Sequence, residues 1–235
     1  MSSRSVAGVL SQVGYALLTP PEFAHALGLE LAALEPLRAS WNDLPRDAYL
    51  RDGGKYRSRR HSCFIQTLPG GIAQTEHRAH WQSTDYNALH GGIDRWFEPL
   101  ETGLSDDPRW RQLLCGLGRV FAGSSAGTWY IEAHQFRIDT AEGIGRPTPE
   151  GAHRDGVDFV AVILVTRREV SGGETRVFDA HGAAGVRFTM AEPWTALLLD
   201  DAQVVHETTP IQKAGPHGVR DTLVLTFRAD RFQAP

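Results

Sequence analysis

Cysteine, long apolar runs and a charge excess are all scarce in this chain, and each scarcity removes a class of protein. Two cysteines, Cys63 and Cys115, stand among 235 residues. They lie far apart, without metal-ligand spacing, too few for a disulfide framework, and read as small buried hydrophobes in a reducing compartment. The longest apolar run, Phe159 to Val165, falls far below the ~20 residues that a helix needs to cross a bilayer. The first residues hold one early arginine, Arg4, and an apolar stretch broken by Ser11, Gln12 and Gly14, a poor leader peptide. These features predict a cytoplasmic protein without a membrane partner. The formal charge is −4, with both signs scattered, so the basic excess of a nucleic-acid binder is missing. No nucleophile elbow occurs, and Ser171-Gly172-Gly173 reads as a turn, which argues against a hydrolase.

What remains is ordinary globular material. Apolar residues are 41 % and charged residues 22 %, enough for a real core. No repeat, low-complexity segment or long linker divides the chain, which reads as one domain over 1–235. A helical and mixed elaboration spans about 1–125, and a β-rich core holding the site about 126–230. In the first part, Phe23, Leu27, Leu31 and Leu34 recur at a helical period and predict a helix from Glu22 to Arg38. Arg51 to Arg60, with five basic residues including Lys55, Arg57, Arg59 and Arg60, reads as a solvated loop. Cys63 to Leu68 reads as a strand ended by Pro69-Gly70-Gly71. A second helix is predicted over Asp107 to Phe121, with Pro108 in its first turn and Gly123 beyond its end. After that, strands are predicted at Trp129–Ile138, Phe159–Thr166, Glu174–Asp179, Thr195–Leu199, Gln203–Glu207 and Asp221–Arg228. Short strands separated by turn signals argue for a sandwich or barrel.

The chemistry lies in His153-Arg154-Asp155 and in His206, 51 residues after Asp155. Residues i and i+2 of an extended chain point the same way, so His153 and Asp155 can present an imidazole and a carboxylate to one ion. His206 adds a third ligand from another strand. Two histidines and one carboxylate on one face leave three open positions, the facial triad of non-haem Fe(II) oxygenases. A bidentate 2-oxo acid takes two of those positions and O₂ the third. Arg220 follows His206 by 14 residues and is the natural bidentate partner for a buried carboxylate such as the distal one of 2-oxoglutarate. Thr222 faces the same way and adds a hydroxyl donor. Arg228, with the same parity on the same strand, is the competing arginine and lies farther from His206.

The segments Pro147 to Phe159, Ser171-Gly172-Gly173-Glu174-Thr175, Asp200-Asp201 with His206 and Thr209-Pro210-Ile211, and Arg220-Asp221-Thr222 with the apolar run behind it resemble one group of enzymes. It is the 2-oxoglutarate/Fe(II) dioxygenases similar to bacterial L-isoleucine 4-hydroxylase, which hydroxylate free L-amino acids. The resemblance is clear from about Trp129 to Arg228 and weaker before. It implies a double-stranded β-helix, or jelly roll, with helices outside one sheet. It also implies Fe(II) as metal, 2-oxoglutarate and O₂ as cosubstrates, and hydroxylation at an sp³ carbon with release of succinate and CO₂.

Other residues carry weaker signals. Gln135 and Arg137 share one face of their strand, and either is a candidate for holding a carboxylate of substrate or cosubstrate. Glu150 is a candidate for a substrate ammonium group. Trp81, Gln82, Asp85 and Tyr86 read as packing more readily than as a lid. His61, His77, His80 and His90 show no carboxylate or cysteine pattern that completes a zinc site; they, with His181 and His217, receive no role. The partner expected is a small molecule, with a homodimer left open. Two rival readings stand: the same iron chemistry on another small metabolite or a peptide side chain, and a non-catalytic jelly-roll module that binds metal and 2-oxoglutarate.

Overall fold

A computed structural model describes residues 5–123 and 127–235. Its helices are α1 (Val6–Val13), α2 (Pro20–Leu27), α3 (Thr102–Ser105) and α4 (Pro108–Ala122), with 3₁₀ turns at Leu31–Ala33 and Glu35–Trp41. Its strands are β1 (Tyr15–Leu18), β2 (Arg57–Leu68), β3 (Ile72–Gln74), β4 (Gly127–Asp139), β5 (Phe159–Arg168), β6 (Val170–Gly172), β7 (Thr175–Asp179), β8 (Gly185–Phe188), β9 (Ala196–Asp200), β10 (Val204–Thr208), β11 (Ile211–Lys213) and β12 (Val219–Arg228). A seven-stranded antiparallel sheet runs β1-β9-β5-β12-β4-β2-β3. A three-stranded sheet (β10-β7-β8) and a pair (β11-β6) accompany it. This mainly β arrangement with flanking helices is the jelly roll. Among the described residues no helix is long and apolar enough to cross a membrane.

The large sheet has two unlike faces. Alternation sends Ile131 and Ala133 of β4, Ala161, Ile163 and Val165 of β5, and Leu223, Leu225 and Phe227 of β12 into the main core, with Trp110, Leu113, Leu114 and Leu117 of α4. At roughly 1.5–3 kcal/mol per buried large apolar side chain, this helix contributes much of what holds the layer. Asp107 caps α4 by accepting from Arg109 N at 2.8 Å, with proline in the first turn. Val160, Val162 and Leu164 point the other way into a second apolar cluster with Val177, Leu197, Leu199 and Val204. β5 is buried on both sides, which is why its sequence runs apolar without a break.

Two expectations fail here. The helix predicted over Glu22–Arg38 stops at Leu27, because Gly28 closes it in the left-handed region (φ 68°). A proline at residue 36 then lies in a 3₁₀ turn. The basic segment Arg51–Arg60 is not a solvated loop throughout. From Arg57 it is strand, paired along twelve residues with β4. Arg57 and Arg59 are buried, with Asp47 Oδ2 2.7 Å from Arg57 Nε and 4.0 Å from Arg59 Nη1. The Arg59 guanidinium also lies over the rings of Phe97 and Phe136 at 3.8 and 4.4 Å. Cys63 and Cys115 are both free thiols.

Candidate active site

A cavity of about 110 Å³ opens on the inner face of the large sheet. One water needs about 10–15 Å³ on this measure, so the space suits small molecules. Its wall takes alternate residues from each strand: Arg57 and Arg59 of β2, Glu132, His134 and Phe136 of β4, Arg220, Thr222, Val224 and Thr226 of β12, and His206 of β10. His153 and Asp155 complete it from the loop before β5.

His153 and His206 face each other through an isolated antiparallel bridge, each N–H donating to the other's carbonyl at 3.0 Å. Asp155 follows in irregular backbone rather than on a regular strand. Its Oδ1 lies 3.9 Å from His153 Nε2 and its Oδ2 3.8 Å from His206 Nε2. Donor atoms of all three lie within 4.8 Å of one another. These gaps are too wide for hydrogen bonds, and they suit one ion with ligand bonds of about 2.0–2.2 Å. His153 Nδ1 donates to Gly151 O at 2.9 Å, which fixes the tautomer that turns the Nε2 lone pair inward. Burial drives His206 well below the usual histidine range, keeping it neutral. Burial, joined by Asp201 and Glu150, pushes Asp155 up to about 6. Burial also acts to lower His153, but Asp155 and Glu150 outweigh it and the imidazole is raised. Without a cation, then, the site tends to hold protons. The donor set fits a divalent ion of intermediate softness such as Fe(II).

The loop carrying Asp155 is clamped by Asp201. Its Oδ1 accepts from Asp155 N at 2.9 Å, and its Oδ2 from Gly156 N and Val157 N at 2.8 and 3.1 Å. Gly156 is left-handed (φ 75°), and a Cβ there would meet the Tyr86 ring at 2.5 Å. In the sequence Asp200-Asp201 stands between two predicted strands and within the segments that carry the resemblance, but nothing there marks Asp201 as a clamp.

Arg220 is buried in the cavity wall, and its Nε and Nη2 have no partner. Burial, with Arg167 nearby, pushes it down to about 10. Thr222 lines the same wall; Arg228, on the same strand face, lies outside it. Glu150 also lines the cavity. Its Oε1 is 3.6 Å from His153 Nε2 and its Oε2 is buried without a partner.

Gln135 and Arg137 are not brought to the cavity. Both lie on the helix side of β4, where Gln135 donates to Ser40 Oγ at 2.8 Å and Arg137 forms a two-pronged pair with Asp221 at 2.8 Å. Trp129, Ile131 and Ala133 share their parity, and that apolar set marked the face as core. Gln82, expected to be packing, donates through Nε2 to Asp155 Oδ1 at 3.3 Å and accepts from Asn87 and Arg95.

Two of the histidines expected to lack a carboxylate, His61 and His80, have one. Glu132 Oε2 lies 2.6 Å from His80 Nδ1 and 2.9 Å from His61 Nε2, with His134 beside them. These are hydrogen-bond lengths. Burial pushes both imidazoles down, His80 to about 3, so each is neutral and donates one N–H. Burial alone would raise Glu132, but the two histidines outweigh it and hold it below the usual carboxylate range. Arg59 Nη2 occupies His134 Nδ1 at 2.6 Å.

The sequence model of the family described as 2OG-Fe dioxygenase matches residues 38–226. No curated protein sequence matches the chain. The crystal structure of a bsmA homolog from Methylobium petroleophilum PM1 is 55 % identical, covers 98 % of this chain and 94 % of that one, and superposes with a TM-score of 0.93. IDO from Bacillus thuringiensis is 18 % identical over 95 % and 97 % of the two chains, with a TM-score of 0.77. The Fe(II)/α-ketoglutarate-dependent dioxygenase TqaL is 18 % identical over 95 % and 86 %, with a TM-score of 0.71. The last two share the fold.

Proposed function

Because the chain belongs to the 2OG-Fe dioxygenase family, an enzyme family that uses Fe(II), 2-oxoglutarate and O₂, we propose that it hydroxylates an sp³ carbon of a free L-amino acid. In this reading residues 1–235 work as one dioxygenase domain. His153, Asp155 and His206 hold Fe(II). Arg220 and Thr222 take the distal carboxylate of 2-oxoglutarate, and Glu150 takes the substrate ammonium. Bound iron and 2-oxoglutarate supply the oxidation of a C–H bond, with succinate and CO₂ released; the protein's part is to place that bond and exclude other reactions.

The observation that carries the amino-acid reading is the Glu150 carboxylate, half-buried in the cavity wall beside His153, with its Oε2 buried and unpartnered. A buried anion without a donor is costly, and an ammonium group arriving with substrate removes that cost. The resemblance around His153 and Asp155 to free amino-acid hydroxylases supports the same class. The test is an aerobic screen of the twenty L-amino acids with the Fe(II)-loaded protein and 2-oxoglutarate, following succinate and a product heavier by 16 mass units. We expect at least one aliphatic amino acid to give both. Succinate at the uncoupled background for all twenty would rule out the substrate class.

A further inference from the structure

Among the described residues, two buried arginines line the cavity without an ion-pair partner. One is Arg220. The other is Arg95, 2 % exposed. Arg57 and Arg59 share Asp47, but Arg95 has no carboxylate within pairing distance. Its Nη2 donates to Gln82 Oε1 at 2.9 Å, and its Nε is buried with no partner. The backbone holds it firmly: Arg95 and His80 exchange both N–H···O bonds, at 2.9 and 3.0 Å.

The two cations enter the cavity wall from different elements: Arg220 from β12 of the large sheet, and Arg95 from the segment bridged to His80, where Gln82 links it to Asp155. One dicarboxylate on Arg220 therefore leaves Arg95 uncompensated. A buried guanidinium in this state calls for an anion. We propose that Arg95 anchors the carboxylate of the substrate, in an anion subsite separate from that of 2-oxoglutarate.

This rests on the amino-acid reading above and makes it more specific. Arg95 and Glu150 line the same cavity, so a carboxylate on Arg95 and an α-ammonium on Glu150 together hold the zwitterion at both charges. Its side chain is then the part left to face the ion. Gln82 ties the subsite to the metal. Its Oε1 accepts from Arg95 and Asn87, so its Nε2 must face Asp155 Oδ1. Arg95 thus recognises substrate and, through Gln82, positions one metal ligand.

The test is calorimetric titration of anaerobic protein loaded with Fe(II) and 2-oxoglutarate, using each L-amino acid and its carboxamide, which lacks the negative charge. Wild type should prefer the best acid over its carboxamide by about 100-fold, the order expected for a desolvated charge pair. Arg95→Ala should erase that preference by weakening the acid alone, with carboxamide and 2-oxoglutarate affinities within about threefold of wild type. Arg95→Lys should restore part of it. Arg220→Ala should do the reverse, weakening 2-oxoglutarate by about 100-fold and keeping the preference for acid. If Arg95→Ala does not fold, Arg95→Met, closer in volume, replaces it. Equal loss of acid and carboxamide, or an unchanged preference, overturns the proposal. Should wild type bind no amino acid, the substrate reading fails, and titration with acetate decides the subsite alone. Weaker acetate binding in the variant keeps the subsite, and equal binding removes it.

Discussion

Two clusters of imidazole and carboxylate line one wall, and their spacings differ by about 1 Å. In the first, His153, Asp155 and His206 leave 3.8–3.9 Å between carboxylate oxygens and ring nitrogens. In the second, His61, His80 and Glu132 close to 2.6–2.9 Å, and Arg59 caps the neighbouring His134. In the open cluster no hydrogen bond closes the gaps between the ligand atoms, so an ion can enter by displacing protons alone. The closed cluster has already satisfied its carboxylate with two N–H donors, so an ion entering it must first break hydrogen bonds. Residue type alone does not separate a metal site from a hydrogen-bonded core; the tautomers and the gaps do.

The strongest way to break the comparison is to remove one carboxylate from each cluster. Asp155→Ala should abolish Fe(II)-dependent succinate formation and metal binding while the melting temperature stays near that of the metal-free wild type. Turnover at the wild-type rate would remove Asp155 from the ligand set. Glu132→Ala strands the N–H groups of His61 and His80 in a buried site, at about 1–3 kcal/mol for each group. It should lower stability by roughly 2–6 kcal/mol in denaturant melts while one Fe(II) still binds per chain. If wild type takes up two ions and Glu132→Ala takes up one, the closed cluster is a metal site after all. The gentlest probe is pH. His153 and Asp155 are both raised in the metal-free fold, so protonation is favoured there and metal must displace protons. Fe(II) affinity should therefore rise with pH through about 6 and fall below it, by about tenfold per pH unit for each proton displaced. The closed cluster, with imidazoles lowered and Glu132 ionised, should show no titration in that window. Histidine NMR signals at pH 5 and 7 would check this.

The β core was legible because its apolar strands carry the signal themselves. The run Phe159 to Val165 is buried on both faces, and turn glycines bracket its neighbours. The helix after Asp107 was legible from its cap and its proline. The break at Gly28 was not, because the apolar period continues past the glycine into the 3₁₀ turns. Charge misled twice. Arg57 and Arg59 looked solvated, yet they alternate with Ser58 and continue the parity of His61 and Cys63 into a strand. Gln135 and Arg137 were correctly paired on one face, but parity cannot say which face meets the cavity. Arg95 carried no signal at all, since its isolation from carboxylates is a fact of three dimensions.

The reciprocal bridge between His153 and His206 bears on how this chain tolerates change. Backbone bonds, not the ion, gather the two imidazoles, so the entropy of closing the long interval between them is settled during folding. Doubling such an interval costs only about 0.6 kcal/mol. The stretch from β5 to β9 can therefore lengthen, shorten or acquire new surface loops while the crossing that joins its ends stays put. An insertion there changes what surrounds the pocket without disturbing the atoms that grip the ion.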